Sequence, residues 1–219
     1  FQSQSRGGKS ENTRKQISMT RIGIGITSTP SRPAHLELCL SQMNKHMPKD
    51  AMLFVAHDTN KMGVAHQKNK CLEALNECDY VFLFDDDCFP IEDGWADAYV
   101  SEYIRTGNHH FLKINEMPTI EIKGVIDGIT SWTNCAGCMM FLTRSAIQTV
   151  GIFSEDFGVY GFEHADYTNR IHKAHLTPYG QYLSCKGNDK IYALDLQGVG
   201  TFNINHKSSM PFKEMLEHV

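Results

Sequence analysis

The chain has 219 residues, 41% hydrophobic and 21% charged, with a formal net charge of −4. That length can bury a sizeable core in one domain, and the composition is that of a soluble globular protein. The acidic balance argues against a broadly basic nucleic-acid surface but permits a local patch. No apolar run reaches the roughly 20 residues that cross a bilayer, and no secretory h-region is present. Seven cysteines without paired spacing point to a reducing compartment, so a cytoplasmic protein is expected.

Residues 1–20 are polar and rich in Ser, Gln, Arg, Lys and Gly, the composition of a disordered leader or tag remnant, and are set outside the fold. From residue 21 the pattern alternates between strand and helix. A first strand over 21–26 closes on the loop from Thr27 to Pro30. Pro33 suits the first turn of a helix to about 46, with Leu36, Leu38, Leu40 and Met43 for its apolar side. A second strand over 51–56 ends at His57 and Asp58. The next helix, over 63–77, carries Val64, Cys71, Leu72 and Leu75 at helical spacing. Tyr80 to Phe84 then runs without a polar break and reads as a strand buried on both faces. Three carboxylates, Asp85, Asp86 and Asp87, follow at once, and then the chain-bending Pro90. This β-α-β-α-β order predicts a parallel sheet with helices on its faces.

Beyond Pro90 the alternation is looser. Asp93 is placed as the cap of a helix to 104, stopped by Gly107. Short strands follow at 110–114 and within 121–132, and a buried strand over 137–142 leads into a helix around 145–150. A Gly- and aromatic-rich loop over 151–161 precedes a helix over 163–174, with Glu163, Asp166 and Arg170 along one side. Short strands near 181–184 and 190–195 complete the core.

In open α/β sheets ligands sit beyond the carboxyl ends of the strands, where Asp85 to Asp87 arrive. Carboxylates so close repel unless a cation neutralises them, and hard oxygen donors suit Mg2+ or Mn2+, which also hold phosphate-bearing substrates. A solvated acidic turn is the plain alternative. Cys135 and Cys138 have redox or zinc spacing, but no second pair accompanies them, so packing is the better reading. His109 and His110 are adjacent on a strand and point to opposite faces, which disfavours a shared metal.

Four blocks in order carry a family resemblance. They are Gly63 to Asn69 followed by Asp85-x-Asp87; Asp85 to Pro90 with Gly94 and Trp95; Ala136 to Leu142, Gly151 to Phe153 and Tyr160 to Arg170; and Asn205 to Ser208. Together the blocks resemble glycosyltransferases of the GT-A fold. The first is similar to the G-x-x-x-x-R-N and D-x-D pattern of family 2 enzymes. The second is similar to the D-x-H-C-E and G-W of the polypeptide N-acetylgalactosaminyltransferases. The third and fourth are similar to the C-terminal segment and R-H-S of the β-1,4-galactosyltransferases. The resemblance covers about Arg21 to Ser208.

The resemblance implies a single α/β domain over 21–219, Rossmann-like, with a mostly parallel central sheet. It implies a metal-dependent transfer of sugar from a nucleotide diphosphate, UDP-sugar in first place, to a hydroxyl acceptor. Asp85, Asp87 and His206 match the ligands of Mn2+ or Mg2+. Thr27, Asp58, Lys68, Asp85, Asp86 and Gly137 fall where such enzymes hold the nucleotide-sugar. A solvated helix lysine is the alternative for Lys68, and Trp132 belongs either on a sugar face or in the core.

The sequence departs from the pattern at the base. Inverting relatives place Asp directly after the Glu, whereas this chain reads Glu163, His164, Ala165, Asp166. His164 takes the base position, where neutral imidazole can work near pH 7. Asp166 is the alternative base, and Glu163 the acceptor or donor-sugar contact. Retaining polypeptide transferases carry Asn there, so the stereochemistry stays open. The acceptor stays open among a glycan, a small metabolite, a protein and a modified DNA base. The altered base also keeps a second class in play, a GT-A-like module that binds sugar nucleotides or glycans without turnover.

Overall fold

A computed structural model of the chain describes residues 20–115, 117 and 119–194. Most of the expected leader, and His206, lie outside the described residues. The expected β-α-β-α-β unit is formed by β1 (Ile22–Ser28), α1 (Pro33–His46), β2 (Met52–His57), α2 (Val64–Ala74) and β3 (Tyr80–Asp85). β1 pairs in parallel with both β2 and β3.

Beyond β3 the order is β4 (Cys88–Pro90), α3 (Trp95–Thr106), β5 (His110–Leu112), β6 (Ile122–Ile126), β7 (Ile129–Trp132) and β8 (Met139–Thr143). Then come α4 (Arg144–Val150), α5 (Glu163–Lys173), β9 (Leu183–Ser184), a 3-10 turn over Lys186–Lys190, and β10 (Ile191–Ala193). β8 inserts antiparallel between β3 and β5. The central sheet therefore reads β2-β1-β3-β8-β5, mostly parallel with one strand reversed. Small sheets β6-β7-β9 and β10-β4 stand beside it.

Period-two alternation inside uniformly apolar strands sorts the core into two layers. Phe82 and Phe84 of β3 join Ile24, Phe111 and Phe141 under Met43 of α1 and Trp95 and Tyr99 of α3. Val81 and Leu83 face the other way, onto Cys71 and Leu72 of α2, Ala146 of α4, and Tyr167 and Ile171 of α5. Glycine at 25 makes the second layer possible, because a Cβ there would lie 2.6 Å from Cys71 Cβ. α2 therefore rests directly on the β1 backbone.

Two local expectations are corrected. Asp93 does not cap α3; Gly94, in the left-handed region at φ 71, starts the helix without a side-chain cap. The Asp93 carboxylate is 2.7 Å from His46 Nδ1 instead. Pro90, read as a bend, closes the short strand β4, opposite Ile191. A proline suits the end of an edge pairing, where its missing N–H breaks no ladder. Among the described residues no helix is long and apolar enough to cross a membrane.

Candidate active site

The C-terminal ends of β1, β2 and β3 open into a cavity of about 1240 Å³. A pocket for one drug-sized ligand spans roughly 300–1,000 Å³, so there is room for two groups side by side. Its floor is set by strand register. Thr27 and Asp85 are partners across β1 and β3, and Thr27 Oγ1 donates to Asp85 Oδ1 at 2.8 Å. Asp85 N donates to Cys138 O at 2.8 Å and Asp86 N to Thr27 O at 3.1 Å, which fixes the backbone of the acids.

The three carboxylates are treated differently. Asp86 is buried, accepts from Ser28 Oγ at 2.7 Å, and lies 3.1 Å from Arg32 Nη1. Burial raises its pKa, with Ser28 and Arg32 working the other way. Arg32 Nη2 reaches Asp87 Oδ2 at 2.7 Å. Asp87 is pushed up to about 6, first by burial and then by the neighbouring Asp85 charge. Even with Arg32 in place, negative charge is crowded here.

On the opposite wall a buried ionic cluster joins the acids to α5. Lys68 is fully buried, its Nζ 3.3 Å from Glu163 Oε1 and 3.6 Å from Asp85 Oδ1, and it donates to Gly137 O at 3.2 Å. Burial pulls its pKa down, but the charges of Asp85 and Glu163 win and hold it up. Glu163 is the mirror case. Burial pushes it up, yet the His164 hydrogen bond and the Lys68 charge hold it well below the usual carboxylate range. Gly161 N also donates to Glu163 Oε2 at 2.9 Å.

The His164 ring lies across Gly137, where a Cβ would fall 2.3 Å from His164 Cγ; only glycine admits the ring at this distance. Its Nδ1 is 3.4 Å from Glu163 Oε1 and its Nε2 3.3 Å from Cys135 O. Both nitrogens face acceptors, a pattern that a doubly protonated ring satisfies fully and a neutral ring by half. Phe162, just before Glu163, is a non-glycine residue in the left-handed region at φ 66. That backbone turns Glu163 inward at the start of α5.

Most of the residues singled out in the sequence therefore line one cavity. Thr27, Asp58, the three acids, Gly137, Glu163 and His164 all do so. Asp58 is already engaged there, accepting from Met62 N and Gly63 N at 2.8 and 2.9 Å and so holding the loop that opens α2. Lys68 lies behind the wall, and its burial removes the solvated-lysine alternative.

Two of the singled-out residues lie away from the cavity lining. Trp132 takes the core alternative, its Nε1 donating to Ser184 Oγ at 2.8 Å. Asp166 accepts from Arg170 Nε at 2.9 Å, and Arg170 in turn donates to Val150 O and Ile152 O. That clamp holds Asp166 toward the end of α4 and outside the cavity lining. Arg32 was not singled out from the sequence. The available signal was a lone arginine in the loop after the first strand, directly before the proline that starts α1.

Among the described residues no group of three or more His, Cys, Asp or Glu side chains is arranged to hold a metal ion. Asp85 and Asp87 supply two hard oxygen donors in a crowded acidic field, which fits a divalent cation completed by substrate oxygens. The expected third ligand, His206, lies outside the described residues.

No protein-family model matches the chain. An uncharacterized glycosyltransferase of Acanthamoeba polyphaga mimivirus is 33% identical over 132 residues, which covers 53% of this chain and 48% of that protein. The chain thus spans about half the length of this curated relative. GalNAc-T7, solved with UDP, GalNAc and Mn2+, aligns with a TM-score of 0.59 at 10% identity, over 80% of this chain and 44% of that one. A mutant of Drosophila β1,4-galactosyltransferase 7 with manganese, UDP-Gal and xylobiose aligns at 0.55 and 18% identity, over 90% and 79% of the two chains. A mannosyltransferase of Pyrobaculum calidifontis with GDP-Man and Mn2+ aligns at 0.51 and 12%, over 69% and 51%. The chain has the GT-A fold of the glycosyltransferases.

Proposed function

We propose that residues 21–219 form the catalytic domain of a glycosyltransferase that moves a sugar from a nucleotide diphosphate, a UDP-sugar in first place, to a hydroxyl acceptor. The observation that carries this reading is the convergence of Asp85, Asp87, Glu163 and His164, from chain segments some eighty residues apart, on one cavity with room for donor and acceptor. The solved neighbours bound to UDP or GDP-Man with Mn2+ support the donor class.

Asp85 and Asp87 would hold Mn2+ or Mg2+, with His206 as a further ligand. That ion, when bound, supplies Lewis-acid stabilisation of the leaving diphosphate. Thr27 steadies Asp85 from the neighbouring strand. Glu163, kept ionised, accepts a hydrogen bond from a second hydroxyl of the acceptor and so aims the reacting oxygen at the anomeric carbon. As the new carbon–oxygen bond forms and the bond to the diphosphate breaks, neutral His164 takes the hydroxyl proton; its 3.3–3.4 Å contacts are loose enough to give up for that role. Lys68 links the metal-side acid to the acceptor-side acid and helps keep Glu163 ionised.

The test is hydrolysis or transfer from a panel of UDP-, GDP- and TDP-sugars with and without Mn2+. Metal-dependent turnover that Asp87→Ala lowers by about 10³-fold or more is the expected result. A second reading, a binding module without turnover, rests on the two acceptors facing His164, which engage both ring nitrogens and leave neither turned to a substrate hydroxyl. Tight metal-dependent nucleotide-sugar binding with no turnover against any acceptor class would establish it.

A further inference from the structure

Arg32 sits where nothing in the proposed chemistry yet uses it. Its guanidinium spans two carboxylates, with Nη1 3.1 Å from Asp86 and Nη2 2.7 Å from Asp87. The two partners are unequal. The Asp86 side chain is 2% exposed and is also held by Ser28. The Asp87 side chain is 16% exposed and lines the cavity. The Arg32 backbone is tied down, donating from N to Thr29 O at 3.0 Å and starting α1 ahead of Pro33. Its side chain is 30% exposed and lines the cavity.

We propose that Arg32 is an exchangeable counter-ion that stands on Asp87 in the metal-free protein, yields Asp87 to the divalent ion, and then turns its free arm to the diphosphate of the donor. The inference rests on the metal-site reading above. A guanidinium and a divalent cation on the same carboxylate repel each other, so each weakens the other's hold on Asp87. Asp86 keeps the hand-over local, since its buried carboxylate retains one arm of the fork while the other is released. The planar fork of arginine matches phosphate oxygens as well as carboxylate oxygens, so the freed arm has a target in the same cavity. Thr29 and Ser31, which also line the cavity beside Arg32, offer hydroxyls to the same anion. Arg32 is thus a positioning residue for the metal and a direct contact for the donor.

The signature is a change of opposite sign in two affinities. Mn2+ binding to the nucleotide-free protein is measured by the loss of the free Mn2+ electron paramagnetic resonance signal. UDP binding at saturating Mn2+ is measured by calorimetry. Arg32→Gln is expected to bind Mn2+ about tenfold more tightly and UDP about tenfold more weakly, the scale of one charged hydrogen bond. Arg32→Lys, which keeps the charge but loses the fork, shifts both in the same directions by less, and serves if the glutamine variant does not fold. Unchanged or weakened Mn2+ binding in both variants, with wild-type binding abolished by Asp87→Asn, overturns the exchange and leaves the metal site standing. No Mn2+ binding by the wild type overturns the metal-site reading and the exchange together.

Discussion

Two regions of this molecule are equally deep and chemically opposite. Under α3, Phe82 packs against Trp95 at a ring separation of 4.7 Å and against Phe141 at 5.1 Å, and Tyr99 is 5.8 Å from Phe82. Across the sheet, under α2, Lys68 is no more exposed than these rings, yet it sits among carboxylates. The aromatic layer removes surface from water and gains dispersion contacts, so it stabilises the fold. The ionic cluster pays desolvation for every charge and recovers only part of it through pairing. The first region is there for the fold, and the second holds Asp85 and Glu163 at the cavity wall.

The sharpest way to break that comparison is to remove the cation alone. Lys68→Met leaves Glu163 buried beside Asp85 without its partner, and is expected to cost about 3–5 kcal/mol. Adding Glu163→Gln should return most of that loss, because the cost is an uncompensated charge rather than a missing side chain. Chemical denaturation of the two single variants and the double variant measures the coupling. Additive losses would mean that Lys68 acts by packing, for instance through the Phe153 ring 5.9 Å from its Nζ.

The matching change in the other region is Trp95→Ala. The loss of a fully buried indole and of the hydrogen bond from its Nε1 to His46 O is expected to cost about 3–5 kcal/mol. Here no second substitution of a charge should rescue it. Activity per folded molecule should stay at the wild-type level, because Trp95 does not line the cavity. A fall in turnover well beyond the loss of folded protein would place α3 in the chemistry after all.

His110 is a third kind of buried polar group, satisfied without a charge. Its Nδ1 donates to Phe141 O at 2.8 Å, and its Nε2 accepts from Thr168 Oγ1 at 3.0 Å. Burial lowers its pKa from 6.5 to about 4, while the Phe141 carbonyl works the other way. Between those values the unfolded chain binds a proton that the folded chain refuses, so stability rises with pH across the window and is lost on acidification. The contribution is about 2 kcal/mol between pH 7 and 5. Urea titrations at the two pH values, on wild type and His110→Gln, should show the gap between the proteins closing toward pH 5. A gap independent of pH would show that the ring titrates alike in the folded and unfolded chains, and a gap widening toward pH 5 that it is already protonated in the fold.

How far the sequence reached follows the same division. The aromatic layer was legible because Tyr80 to Phe84 and the strand before Thr143 carry unbroken apolar runs, and such runs state their own burial. β8 was found as a strand, but its reversed direction was not, since orientation depends on how a long connection returns to the sheet. Asp85 to Asp87 announced the site by their crowding. Lys68 was found by its place in a motif, although its position on the apolar stripe of α2 was itself a signal of burial. The Ser184 partner of Trp132 was not legible, because residue type and spacing give no account of a contact between distant segments, whereas the pairing of Asp166 with Arg170 was written in their i, i+4 spacing. Arg32 was missed because a lone surface-type residue acquires meaning only once the fold lays it across two acids.

The smallest change tests whether the aromatic layer is as purely apolar as the comparison makes it. Tyr99 is fully buried, and among the described residues its hydroxyl has no hydrogen-bond partner. A buried, unpaired hydroxyl costs about 1–3 kcal/mol relative to a paired one, whereas removing it leaves almost the same ring in place. Tyr99→Phe is therefore expected to be neutral to stabilising by about 1 kcal/mol. It is read as a rise in the urea midpoint at an unchanged slope. The ring must stay: a Cβ on Gly187 would lie 2.4 Å from Tyr99 Cε2, so the 3-10 turn is shaped around that edge, and Tyr99→Leu should destabilise where Tyr99→Phe does not. Destabilisation by the phenylalanine variant would mean that the hydroxyl is paired in solution, and that this layer, like the one across the sheet, holds a polar group for a purpose.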